Sequence, residues 1–259
     1  MTLAGDGGDE AFAGYERYIA HGLANRVPGV AARAGAAAMR LLPSARREPR
    51  STVFRAARML DVAAAPPGER YGRLMEVFPL PTRRELWLDP RQAARVSLRP
   101  SGDSITELQL LDAETYLPGD LLLKADIASM AHSLELRSPF LDHDVMALGL
   151  ALPDHLKTRG RQGKIALRRA FAGDLPADVA ARGKTGFGVP FGPWFRNDLR
   201  ELARDLLATD RGWFRQDTVQ RLFVEHETGR ADHGHRLWCL LMLELWVRTQ
   251  VETPALVLT

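Results

Sequence analysis

Apolar residues return every three or four positions along most of the chain, a spacing that predicts helices. Residues 104–117 place Ile105, Leu108 and Leu111 on one helical face, with Ser101 and Asp103 as cap candidates ahead of them. The same spacing predicts two or three surface helices within 24–65, punctuated by Pro28, Pro43 and Pro49. Pro66, Pro67 and Gly68 mark a turn, and a helix is expected over 70–77. A connection rich in proline and charge then leads to residue 98. Pro118 and Gly119 are expected to break the helix 104–117. Further helices are expected over 120–133, 142–152, where Asp142 is the N-cap, and 163–172. Residues 134–141 read as extended or loop, since Pro139 biases Ser138 away from the helical region. Residues 182–193 are rich in glycine and proline and are expected to form a loop. Residues 236–247, RLWCLLMLELWV, are apolar nearly all round, which predicts a buried helix. Its tryptophans read as core filling and Cys239 as an inert core thiol.

Strand signals are scarce. The clearest stands at the start: residues 1–4 read as the end of a strand, 5–9 as a glycine-rich acidic turn, and a helix follows from Glu10. A chain opening in mid-strand implies either an edge strand or a preceding part that is missing.

Composition narrows the class. At 259 residues with 46% hydrophobic positions the chain can bury a core without staples. Its one cysteine excludes an internal disulfide framework and a Cys-cluster zinc site. No uncharged apolar run approaches membrane-spanning length. The N-terminus lacks the basic and apolar regions of a secretory signal. A cytoplasmic protein that binds neither membrane nor nucleic acid is expected. The net charge of +3 does not change this, because the 35 basic residues are dispersed among 32 acidic ones. The basic set is nearly all arginine, a pattern that a codon bias explains. Lys124, Lys157, Lys164 and Lys184 are the lysines, and a compact ammonium suits phosphate.

Three segments can carry chemistry. In Gly5-Asp6-Gly7-Gly8-Asp9-Glu10, glycines after a strand let the backbone approach a phosphate, and carboxylates beside a nucleotide bind through Mg²⁺. The competing reading is a plain strand-to-helix turn capped by Asp9. Neither the P-loop nor the dinucleotide fingerprint fits it. In Leu134 to Asp142, Glu135 and Arg137 flank an apolar residue and share a face. They form either a structural ion pair or a poised carboxylate. In Gly183-Lys184-Thr185-Gly186-Phe187-Gly188, Lys184 either reaches a phosphate from a glycine-rich loop, with Lys164 upstream, or is a solvated surface lysine.

Together, in this order, these segments resemble the C-terminal half of the synthetase domain of glutamine-dependent asparagine synthetases. GDGGDEAFAGYERY is similar to that family's Ser-Gly-Asp-Gly-Gly-Asp-Glu-Leu-Phe-Gly-Gly-Tyr segment, and LPGDLLLKADIASMAHSLELRSPFLD to its second signature. KIALRRAF, RGKTGFGVPFGPWF and DHGHRLWCLLMLELW resemble further family segments. The likeness is weakest over 24–100.

The resemblance implies a mainly α fold over residues 1–259. This would be the C-terminal helical portion of an α/β nucleotide-binding, ATP pyrophosphatase-like synthetase domain, with a remnant strand at the N-terminus. It implies ATP and Mg²⁺ as cofactors. Aspartate would be activated as β-aspartyl-AMP, and ammonia would then displace AMP to give asparagine. By motif position, Ala4 and Gly5 would contact the nucleotide, although Ala4 replaces the usual serine and its hydroxyl. Asp6 would act in forming the adenylate and Asp9 would hold Mg²⁺. Glu135 would line the site of ammonia attack, and Lys164 and Lys184 would hold the pyrophosphate. The family's N-terminal glutaminase domain and its Ser-Gly-Gly-x-Asp-Ser pyrophosphate loop do not occur in these residues. The chain is therefore expected to be a fragment, a split gene product or the result of a late start, and inactive alone. A separate chain carrying the N-terminal half is an expected partner. The alternatives are a related synthetase that closes a β-lactam or macrolactam, and a non-catalytic fragment.

Overall fold

The computed structural model describes residues 1–41, 51–93, 100, 102–176 and 188–252. The chain divides into two units. One comprises residues 1–32, 62–74 and 97–185; the other comprises 33–61, 75–96 and 186–259. The described residues are mainly helical, as the apolar spacing predicts.

The first unit holds the one sheet found among the described residues. Strand β1 (Thr2–Leu3) runs parallel to β2 (Leu136–Arg137), with Thr2 opposite Leu136 and Leu3 opposite Arg137. The Thr2 N–H donates to the Glu135 carbonyl at 2.8 Å and the Ala4 N–H to the Arg137 carbonyl at 2.9 Å. The same unit contains the helices Gly8–Ala11, Glu16–Arg26, Ile105–Glu114, His143–Ala151 and Ile165–Ala170. Ala11, Ala13, Tyr18, Tyr71 and Leu108 are buried among them. At their centre Asp112, itself buried, accepts hydrogen bonds from Tyr18 (2.6 Å), Tyr71 (2.5 Å) and Arg17 (2.7 Å). A buried carboxylate is tolerable when its lone pairs are filled in this way.

In the second unit, the helices Leu80–Leu86, Phe191–Arg196, Arg200–Leu207, Gln216–Glu227 and Gly234–Trp246 enclose an apolar core. Leu86, Phe195, Phe223, Leu237 and Leu241 are among its members. Among the described residues no helix is long and apolar enough to cross a membrane.

Several expectations need correction. The helix predicted over 104–117 begins at Ile105, and its cap is Ser104, in a capping box with Glu107, rather than Asp103. Asp103 meets His21 instead, at 3.1 Å. Ser101 lies outside the described residues. Pro118 and Gly119 are not where the helix stops: Ile105–Glu114 already ends at Thr115, whose φ is −124°. They lie in a π-helical turn, Leu117–Leu122, that runs into the helix Leu123–Met130; Pro118 stands in its first positions, where its missing N–H costs little. The connection leading to residue 98 contains the short helix Leu80–Leu86. Of the loop expected over 182–193, residues 182–187 lie outside the described residues, and residues 191–193 open the helix Phe191–Arg196, with Pro193 in its first turn. Asp142 does cap the helix His143–Ala151, accepting from the N–H groups of Asp144 and Val145. The last helix buries Leu237, Leu240, Leu241 and Glu244 but leaves Cys239 and Trp246 exposed. Cys239 is therefore not a core thiol.

Candidate active site

The segment after β1 turns through Gly7, whose φ of +82° is a left-handed conformation that costs a side-chain-bearing residue energy. A four-residue helix, Gly8–Ala11, follows at once. Asp9 lies inside it and no side chain caps it, so the plain reading of this turn as capped by Asp9 does not hold. Gly5 stands differently from Gly7. A side chain added at Gly5 would meet nothing within 4 Å, so the protein's own packing does not require glycine there. The space it leaves beside the end of β1 is open to an approaching ligand. Ala4 and Asp6 are half-buried on either side of Gly5.

Two adjacent carboxylates differ in environment. Glu10 is buried and accepts a hydrogen bond from the Tyr15 hydroxyl at 2.6 Å; burial pushes its carboxyl above its ordinary value. Asp9 is half-buried and pairs with the ammonium of Lys164 at 3.0 Å. A side chain at Gly14 would collide with this pair, so the glycine there makes room for it. Lys164 precedes the helix Ile165–Ala170 with φ +57°, and its N–H donates to the Phe12 carbonyl at 3.1 Å. A left-handed lysine is a strained residue, and strain of this kind concentrates at functional sites.

The structure thus joins Asp9 to Lys164, 155 positions away in the sequence, beside the turn that carries Ala4, Gly5 and Asp6. It does not bring Glu135 to them. The strand register sets Glu135 level with Met1, at the end of the pair away from the turn, and its exposed carboxylate pairs with Arg137. Lys184 lies outside the described residues. Of the other lysines, Lys157 is fully buried and donates to the Thr106 hydroxyl and the Leu150 carbonyl, a packing role.

Sequence reasoning missed Gln109 and Tyr15, which hold the acidic segment from behind. Tyr15 sits within a tyrosine-rich stretch that hints at its part; nothing in the sequence around Gln109 marks it.

The residues at the turn suit a nucleotide carrying Mg²⁺. Asp9 offers the hard oxygen donor this ion prefers, and Lys164 supplies a compact positive charge for phosphate.

The family model described as asparagine synthase matches residues 1–248. Asparagine synthetase (glutamine-hydrolyzing) 1 of Bacillus subtilis (strain 168) is 30% identical over 273 residues, which cover 97% of this chain and 41% of that protein. A relative from Mycobacterium tuberculosis (strain ATCC 25618 / H37Rv) is 35% identical over 268 residues, covering 97% of this chain and 40% of its own. The chain spans about two fifths of the length of these curated relatives. No solved structure gives a significant match.

Proposed function

This chain belongs to the asparagine synthase family, and from that premise we propose that it carries the phosphate-handling part of an ATP-dependent amide-forming site. The reaction is activation of the aspartate side-chain carboxylate. Its oxygen attacks the α-phosphorus of ATP, pyrophosphate leaves, and β-aspartyl-AMP forms. Ammonia then attacks the activated carbonyl, AMP leaves with the carboxylate oxygen, and asparagine results. The fold this reading implies is part of an ATP pyrophosphatase-like domain, with β1 and β2 neighbours in its sheet.

The observation that carries the reading is the Asp9–Lys164 pair beside the Gly5–Gly7 turn. One carboxylate and one ammonium in contact are what a metal-bound polyanion needs to find at its binding point. Asp9 would hold Mg²⁺, which when bound neutralises charge on the leaving pyrophosphate. Lys164 turns from Asp9 to the phosphate oxygens, joined by Lys184. Ala4 and Gly5 border the nucleotide, and Asp6 faces the forming adenylate. Glu135 lines the approach of ammonia, a role that requires it to part from Arg137.

The test is a hybrid in which these 259 residues replace the matching stretch of the Bacillus subtilis relative. Aspartate-dependent exchange of labelled pyrophosphate into ATP is expected. Asp9→Asn should raise the Mg·ATP concentration needed on the order of 10-fold, while KM for aspartate stays within about twofold. An unchanged Mg·ATP requirement would remove Asp9 from the site.

A further inference from the structure

The helix Gly8–Ala11 is too short to hold its own shape, since a single turn fixes many dihedral angles for few hydrogen bonds. Its last carbonyls lack partners within the helix. Gln109 supplies them. Its Nε2 donates to the carbonyls of both Glu10 and Ala11, the second at 2.8 Å, and the side chain is 0% exposed.

The helix that carries Gln109 is itself firmly placed. Its start is closed by the Ser104–Glu107 capping box. Near its end Asp112 is gripped by Arg17, Tyr18 and Tyr71. Two more bonds tie the acidic segment: the Gly14 N–H to the Asp9 carbonyl at 2.8 Å, and the Lys164 N–H to the Phe12 carbonyl at 3.1 Å. Both of these are backbone bonds. Tyr15 and Lys164 hold the side chains of Glu10 and Asp9, whereas Gln109 uses its side chain to grip the backbone carbonyls of the residues immediately after Asp9.

We propose that Gln109 is a positioning residue for Asp9. Its amide sets the orientation of the short helix, and so the direction in which the Asp9 carboxylate presents its oxygens to a metal-bound pyrophosphate. The proposal rests on the reading of Asp9 as the Mg²⁺-holding residue. Groups that orient a metal ligand from behind typically change metal affinity by 10–100-fold when removed.

The test uses the whole chain, with Mn²⁺·pyrophosphate as the probe and paramagnetic broadening of the backbone amide signals of residues 5–14 as the readout, which registers weak binding. Gln109→Met keeps the length of the side chain and removes both donors. It should weaken binding about 10-fold. The deciding arm is the double variant. If Gln109 acts through Asp9, Gln109→Met adds no further loss in an Asp9→Asn background. Equal losses in both backgrounds, or no loss in either, overturn the proposal while leaving the reading of Asp9 intact. Equal broadening in the wild type and Asp9→Asn, or none in either, overturns the reading of Asp9, and this proposal with it. Should Gln109→Met fail to fold, Gln109→Asn keeps the amide on a shorter stem that cannot reach both carbonyls, and the same cycle decides.

Discussion

Lys164 shows how a local cost can be set against a contact. A left-handed backbone costs a residue other than glycine about 1–2 kcal/mol. Its ion pair with Asp9 joins two partly exposed groups, and such pairs contribute at most about 1 kcal/mol. The strain equals or exceeds the gain, so Lys164 is not there for stability. Lys164→Gly is therefore expected to leave the melting temperature unchanged or raise it by up to about 3 °C, while abolishing any response of the chain to pyrophosphate. A thermal scan decides this, and a drop of more than about 3 °C would make the lysine a structural residue. The positions of Asp9 and Lys164 were legible as motif members. Their contact was not, because no periodicity links residues 155 apart. Gln109 left no trace at all: a glutamine amide becomes decisive only through the two carbonyls that the fold places before it.

At the scale of elements, two histidines join the helices of the second unit. The His233 N–H donates to Nδ1 of His226, so His226 must carry its proton on Nε2, which bonds the Gly192 carbonyl at 2.9 Å. Arg236 donates to Nδ1 of His233, whose Nε2 faces Glu225 at 2.7 Å. Asp232 and Arg196 stand nearby. Both rings are neutral in this arrangement, and burial pushes both below the ordinary histidine range. The unfolded chain then binds protons that the folded one refuses. The stability from this pair is complete above the unfolded value of about 6.5 and declines as pH falls from there toward the lower folded values. The melting temperature should fall between pH 7.5 and 5.5, and fall less in His233→Gln, which keeps a donor for Glu225. An equal slope in the variant would place the pH dependence elsewhere. Helix positions were largely legible because apolar spacing reports the buried face directly, as with Leu108 and Leu237. Ends and interruptions were less so. Pro118 and Pro193 fall in first turns, where the missing N–H of proline is harmless, yet in sequence they look like breaks.

For the whole molecule, the sequence contains no Ser-Gly-Gly-x-Asp-Ser segment, and its matched relatives are more than twice as long. The 259 residues alone are expected to show no aspartate-dependent exchange of pyrophosphate into ATP, while the hybrid with the Bacillus subtilis relative does. Exchange by the unaided chain would show that these residues suffice. The sheet was only half legible for the same reason that it matters: the partner of β1 lies 134 positions downstream, and two-residue strands carry no alternation to read. That separation also has a clock attached. A ribosome adding about 5–20 residues per second needs roughly 7–27 s to travel from Thr2 to Leu136. For that interval β1 is without its partner β2; Gln109 is made before Leu136, but Lys164, which pairs with Asp9, is made after it. The turn bearing Asp9 is made well before the residues that steady it, and a pause in translation before residue 164 would lengthen the time it spends undefended against wrong pairings.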